Sequence, residues 1–445
     1  MNPGSSGNSQ ISLLTATCIV VANMVGTGVF TSLGFQVGGL PSGFALLVLW
    51  LVGGVCALCG ALAYAELAAA LPRSGGEYHL VGRTVHPAAG FLAGWLSATV
   101  GFAAPIALAA MALGKYFSGI IGSEAEGGAA KGAALAAVVL ITLIHLRGIR
   151  LGAIFQNVAT IFKLTLIAVA LGAGFAVTQT QPISFAPLAG DGARLLSAPF
   201  ATSLVYVMYA HTGWNAATYI VGEIREPARN VPRALLLGTG LVAVLYIGLN
   251  AVFLRTTPVQ ELSGNLEVGL IAGRYIFGPT GGNIIGGFIC LGLLATISAM
   301  TWVGPRVAAT MGEDLAFFRP LAVKGADGVP TRALLVQFAL VVLLIITSSF
   351  STVLNYVQFA LTLCSMITVV GLFILRWREP NLPRPFKVPL YPLPPLIFLA
   401  ISGWMLVFML RDPQQQGPSL IGLGLIGAGL ILYFLSPKTT RPLTS

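Results

Sequence analysis

The stretch Met24-Val25-Gly26-Thr27-Gly28-Val29-Phe30 sets two glycines around a threonine inside an apolar run from about Ile11 to Leu40. A second stretch, Tyr209-Ala210-His211-Thr212-Gly213-Trp214-Asn215, interrupts another apolar run, from about Leu195 to Gly222. In lipid an unpaired backbone N–H or C=O has no water to turn to, so a helix is normally kept whole. A break at membrane depth is tolerated where the freed groups line a cavity or bind something. Two such breaks in corresponding positions of two halves point to the substrate site of a secondary transporter.

The 445-residue chain supports a membrane setting, with 56% of its residues hydrophobic and 9% charged. A soluble domain carries roughly 25% charged residues. Apolar runs of about 20 residues read as spans, and twelve such windows lie near 12–38, 42–71, 88–118, 130–146, 151–177, 194–222, 232–254, 280–304, 332–349, 351–376, 390–410 and 418–436. The short connections leave no room for a soluble domain.

The net charge of +10 is spread in a way that argues against a nucleic-acid partner. With the N-terminus inside, Arg73, Arg83, Arg147, Arg150, Arg225, Arg229, Arg233, Arg306, Arg319, Lys324, Arg332, Arg376, Arg378, Arg384, Lys387, Lys438 and Arg441 all fall on the cytoplasmic side. Only Lys115, Lys131, Arg194, Arg255, Arg274 and Arg411 fall outside, and Lys163 lies within a span. The positive-inside rule then places both tails, 1–11 and 437–445, in the cytoplasm of a multi-pass protein of the cell's inner (plasma) membrane.

Windows one to five (12–177) and six to ten (194–376) share an outline, each opening on a glycine-broken segment. Five is odd, so the second set crosses in the opposite sense, the inverted repeat of many transporters. Windows eleven and twelve (390–436) are an addition. The Pro-rich loop Trp377–Phe386 before them reads as a stiff, exposed linker.

The half-helix restarting after Gly28 aims uncapped N–H groups and its positive dipole end at the break, which suits a carboxylate. A G-x-G that packs closely on a neighbouring helix fits the residues equally well. The second break ends a half-helix at Tyr209-Ala210 and frees carbonyls that suit an ammonium. Donors for a carboxylate and acceptors for an ammonium together describe a zwitterion, of which an α-amino acid is the commonest. Trp214 is a packing residue or a pocket wall, and Asn215 donates to substrate or bridges the halves. His211 is the one histidine placed at membrane depth, where a neutral, hydrogen-bonded ring is favoured over a titrating one. Lys163, deep in window five, is costly in lipid and is a functional residue by default. It fills a site where a cotransporter holds Na⁺, exchanges protons, or is merely satisfied by carbonyls at the broken first helix with no role in coupling. Glu66 is the only carboxylate placed clearly within a span, as an inner-gate partner of arginine or a hydrated interfacial acid.

The five cysteines lie in apolar windows, and Cys56 and Cys59 merely share a helix face, so neither metal nor cofactor is expected. No HExxH, P-loop or GxSxG occurs in a plausible context, which excludes the familiar enzyme classes.

Four motifs in order carry a family resemblance. They are Gly26-Thr27-Gly28-Val29-Phe30, Tyr64-Ala65-Glu66-Leu67 with Pro72–Tyr78, Gly213-Trp214-Asn215 through Glu223, Pro227, Asn230 and Pro232, and Leu382–Pro389. Over essentially its whole length the chain resembles the amino acid–polyamine–organocation superfamily, close to L-type transporters and related bacterial permeases. The resemblance implies an all-α, leucine-transporter-type fold of 12 transmembrane helices with discontinuous helices 1 and 6. It implies that amides around Met24, Val25, Gly26, Thr27 and Gly28 hold the substrate carboxylate, and carbonyls of Tyr209, Ala210 and Thr212 its ammonium. It also implies that Lys163, with Thr296 as neighbour, stands in for Na⁺ in sodium-independent members. Tyr209 stands where L-type members have a gating phenylalanine, and His211 where tyrosine is common.

The expectation is sodium-independent transport of neutral L-amino acids by exchange or proton coupling, since no carboxylate sits in either break. A cationic amino acid or polyamine antiporter needs a further acid, such as Glu66 reaching inward. A channel or transport-like receptor is the rival of another class. No cysteine falls in an external loop, so no disulfide-linked glycoprotein subunit is expected.

Overall fold

A computed structural model of the protein describes residues 11–122, 128–146, 149–314, 316–323, 325 and 329–435, with the side chains of 149–160, 310, 314, 316 and 317 excepted. Both tails up to residue 10 and from 436, together with Arg147, Lys324, Lys438 and Arg441, lie outside the described residues.

The chain is all-helical, with one isolated bridge, Ile11 to Ile224, among the described residues. Its helices are α1 (Leu13–Met24), α2 (Gly28–Gln36), α3 (Gly43–Ala70), α4 (Gly76–Thr84), α5 (Pro87–Leu96), α6 (Ala103–Ile121), α7 (Gly128–Leu146), α8 (Ile149–Ala176), α9 (Asp191–Leu195), α10 (Ala198–Ala210), α11 (Pro227–Thr256), α12 (Val259–Leu262), α13 (Val268–Asp314), α14 (Thr331–Thr347), α15 (Phe350–Arg378), α16 (Leu393–Arg411) and α17 (Pro413–Leu435). Among the described residues nine helical segments are long and apolar enough to cross a membrane, and three shorter apolar helices accompany them. Outward faces carry Leu140 and Leu143 on α7, Leu343 and Ile346 on α14, and Ile431 and Phe434 on α17. Apolar surface on that scale is not left to water, and the chain is a multi-pass membrane protein.

Local chemistry sets most helix ends. Ser12, Ser42, Ser197 and Ser349 each accept an amide from the first turn of the following helix, satisfying a donor that has no partner inside the helix. Gly278, at φ +77°, breaks α13 just before Pro279. Two departures from regularity could not be read from hydropathy. A π-helical turn, Ser97–Gly101, separates α5 from α6; Pro105 lacks the N–H that would close on the Gly101 carbonyl, so the helix cannot run through unchanged. After the second break the chain continues as a 3₁₀ stretch, Ala216–Glu223, rather than as an α-helix.

The first broken segment packs against α11, and α2 lies along α10. Ser32 donates to the Tyr206 carbonyl at 3.1 Å, and the Tyr116 hydroxyl donates to the Phe30 carbonyl at 2.8 Å. The Gly264 amide reaches the Gly34 carbonyl at 2.9 Å. These bonds hold α2 against α10, α6 and the segment before α13.

At the opposite end the Pro-rich loop is largely exposed, as expected, and is in addition clamped at a few side chains. Fully buried Glu66 accepts from Arg376 at 2.8 and 2.6 Å and from the Val388 amide at 2.7 Å, and pairs with Arg384 at 3.5 Å. Arg384 also donates to the carbonyls of Glu379, Pro380 and Leu382, and Arg376 lies 3.7 Å over the Tyr391 ring. Glu66 thus fastens the loop to α3 and α15. Removing one partner of a buried ion pair strands the other, so Glu66→Ala should cost on the order of 3 kcal/mol, read as a lower melting temperature in detergent. An unshifted melt would remove the clamp.

Candidate functional site

The two interruptions meet. A Cβ on Gly28 would lie 2.3 Å from the Ala210 Cα, and one on Gly213, whose φ is +95°, would lie 2.7 Å from the Asn23 carbonyl oxygen. Glycine is demanded at both positions by close approach, and at Gly213 by backbone conformation as well. Gly26 is roomier, with Thr296 Cγ2 at 3.4 Å as its nearest neighbour. Across the contact the Thr27 and Tyr209 hydroxyls bond at 2.7 Å.

The first break leaves carbonyls at the end of α1 without helical partners. Tyr246 donates to the Met24 carbonyl at 2.7 Å, and Lys163 Nζ donates to the Val25 carbonyl at 2.8 Å. The ammonium also donates to Thr296 Oγ1 at 2.8 Å and is 4% exposed. Thr27 makes no side-chain cap; the Gly26 amide bonds the Met24 carbonyl at 2.8 Å and the Phe30 amide the Thr27 carbonyl at 3.0 Å, so of the first amides of α2 those of Gly28 and Val29 are the ones left for a ligand. At the second break Thr212 donates to the Tyr209 carbonyl from both its amide, at 3.0 Å, and its hydroxyl, at 2.6 Å. Of the three carbonyls expected to receive an ammonium, the Tyr209 carbonyl is therefore already occupied.

A cavity of about 100 Å³ adjoins the second break. Thr212, Gly213, Trp214 and Asn215 line it; Met24, Val25, Gly26, Thr27, Gly28, Tyr209 and Ala210 do not. Its remaining wall brings residues that sequence reading missed: Asn23, Glu77, Ser97, Phe102, Tyr219, Met300, Leu361 and Ser365. Ile19, Asn23, Tyr219, Ile220 and Val303 also line a neighbouring vestibule of about 410 Å³ that reaches Ile11, Ser74, Tyr78 and Arg306, at the end where Glu66 holds the loop. The Trp214 ring packs on Tyr64 and Phe398.

His211 is away from this cavity. It is fully buried between Trp50 and Tyr246, with Nδ1 on the Val207 carbonyl at 2.9 Å and Nε2 unpartnered. A carbonyl can only accept, so Nδ1 carries the hydrogen. A second histidine, His145 at the end of α7, is also buried and bonds to Ser298 at 2.9 Å.

Glu66 is within a spanning helix, and a second acid, Glu77 on α4 beyond that helix, is also buried, at 3% exposure. Gly75 (φ +126°) and Gly76 (φ +55°) turn the chain back after α3, and Gly76 presses against the Tyr219 ring. This paired glycine was the available signal that the acid after it re-enters the fold. Glu77 Oε1 accepts from the Tyr64 hydroxyl, from Ser365 at 2.9 Å and from Asn215 Nδ2 at 3.4 Å, and Oε2 accepts from the Cys364 thiol at 3.5 Å. Helix α4 is outside the spanning helices. Burial pushes the Glu77 carboxyl above its ordinary range, and the four donors oppose that shift.

A family model described as amino acid permease matches residues 11–432. The chain belongs to the amino acid permease family. The permease is 27% identical to the b(0,+)-type amino acid transporter 1 of Mus musculus, over 99% of this chain and 92% of that one. It is 29% identical to the large neutral amino acids transporter small subunit 2 of Rattus norvegicus, over 97% and 81%. It is 28% identical to the Asc-type amino acid transporter 1 of Mus musculus, over 96% and 81%.

The glycine geometry separates two substitutions. Gly28→Val should prevent the breaks from meeting and give little monodisperse protein in size-exclusion chromatography, whereas Gly26→Ala should yield folded protein. Equal yields would mean that the Gly28–Ala210 contact is dispensable.

Proposed function

We propose that the permease carries α-amino acids, neutral L-amino acids foremost, across the inner (plasma) membrane by sodium-independent exchange or proton coupling. The frame is a leucine-transporter-type pair of inverted repeats, 12–177 and 194–376, with 390–436 appended. The substrate carboxylate rests on the amides opening α2, and its ammonium on the carbonyls of Ala210 and Thr212.

One observation carries this reading: a lysine ammonium, rather than a vacant oxygen cage, occupies the space beside the first break. The Val25 carbonyl and Thr296 hydroxyl oxygens are the ligand type a hard cation takes, and Lys163 Nζ already sits 2.8 Å from both. A fixed internal cation removes the need for a sodium ion there. Because it bonds the unwound backbone directly, loss or gain of its proton would alter how the break is held.

Alternating access follows from the same parts. In this reading the bonds at α2 brace one side, and the vestibule lies toward the other, which the charge pattern assigns to the cytoplasm. Substrate would pass between the breaks and the cytoplasm through that vestibule, with the Thr27–Tyr209 hydroxyl pair between the breaks.

In proteoliposomes, counterflow of labelled alanine or leucine should be saturable and unchanged when choline replaces sodium; a strict sodium requirement would defeat the reading, and a channel would build no counterflow. Lys163→Ala should lose most transport, or its pH dependence, while its elution profile stays that of the folded protein. Full uptake with an unaltered pH profile would remove Lys163 from coupling.

A further inference from the structure

Among the described residues three acids are buried, and they keep different company: Asp191 is paired with Arg194 at 2.7 Å. Glu66 has guanidinium groups from Arg376 and Arg384. Glu77 has a phenol, an alcohol, an amide and a thiol. Every one of those donors is neutral, and among the described residues Glu77 forms no ion pair. A buried carboxylate is ordinarily matched by a cation, and this one stands on the wall of the cavity beside the second break.

Its acceptor capacity is also unevenly used. A carboxylate offers about four lone-pair sites. Three donors crowd Oε1, while Oε2 has only a thiol, a weak donor. The Asn215 amide, at 3.4 Å, is the longest of the three contacts to Oε1, and its side chain stands at the second break. The cavity wall also carries the apolar side chains of Phe102, Met300, Val303 and Leu361, which suit the methylene stem of a long side chain that ends in a charge.

We propose that Glu77 is a specificity-determining residue of the cavity, pairing with the positively charged end of a substrate side chain so that basic L-α-amino acids are accepted beside neutral ones. The proposal rests on the amino acid transport reading above and extends its substrate class. An ammonium or guanidinium arriving next to Glu77 supplies the missing counter-charge and favours the ionised form that burial opposes. An uncharged chain of the same length gains only the apolar contact.

The test compares lysine and arginine with norleucine, which keeps lysine's stem without its ammonium, as competitors of labelled leucine counterflow. In the wild type, lysine should compete within about tenfold of norleucine. Glu77→Gln should weaken lysine relative to norleucine by about tenfold or more, as expected for losing a charge-assisted bond, and Glu77→Asp should restore part of the ratio. A wild type that exchanges leucine but ignores both lysine and arginine overturns the proposal and leaves the transport reading standing. So does an equal loss of lysine and norleucine in Glu77→Gln, which marks Glu77 as a structural hub. Exchange of no amino acid overturns the transport reading itself. If Glu77→Gln does not fold, thermal shift of the wild type decides: stabilisation by lysine supports the pairing, and its absence beside stabilisation by norleucine overturns it.

Discussion

Backbone that leaves helical geometry in a membrane must find its hydrogen bonds inside the protein, and the rest of this structure is arranged around that constraint. The carbonyls released at the end of α1 are met by Tyr246 from α11 and Lys163 from α8. Each donor comes from a different helix, so the break is stable only in the assembled bundle. The lysine is in turn tolerable there only because unwound backbone supplies oxygens to its ammonium. Break and cation depend on each other, and neither could be retained alone in a hydrocarbon setting.

Glycine converts that local arrangement into a shared site. With no Cβ at Gly28 or Gly213, the backbone of each broken segment touches the other. The parallel bridge from Ile11 to Ile224 ties the start of α1 to the end of the 3₁₀ stretch. The two interruptions are therefore mechanically joined at their contact and again near the vestibule. A rearrangement at one is felt at the other without a long relay.

Two of the buried acids divide the remaining labour. Glu66 is neutralised by arginines and serves as a fastener for the loop that precedes α16. Glu77 is solvated by neutral donors and left on a cavity wall. The two lie on either side of one turn, and it is the company each keeps that assigns them different work.

The sequence by itself determined the membrane setting, the positions of the apolar helices, both breaks and the exceptional lysine. Each of these is a local property: hydropathy over a window, a glycine pair inside it, or a charge where none is affordable. Four ordered motifs placed the chain in its family for the same reason. What only the tertiary structure decided was company. Which acid meets arginine, which faces a cavity, that His211 sits among rings, that the Tyr209 carbonyl is taken by Thr212, and that Ser97–Gly101 winds as a π-turn all depend on segments far apart in the chain. Hydropathy cannot report them, because a side chain's partners are fixed by packing between helices and not by its neighbours in sequence.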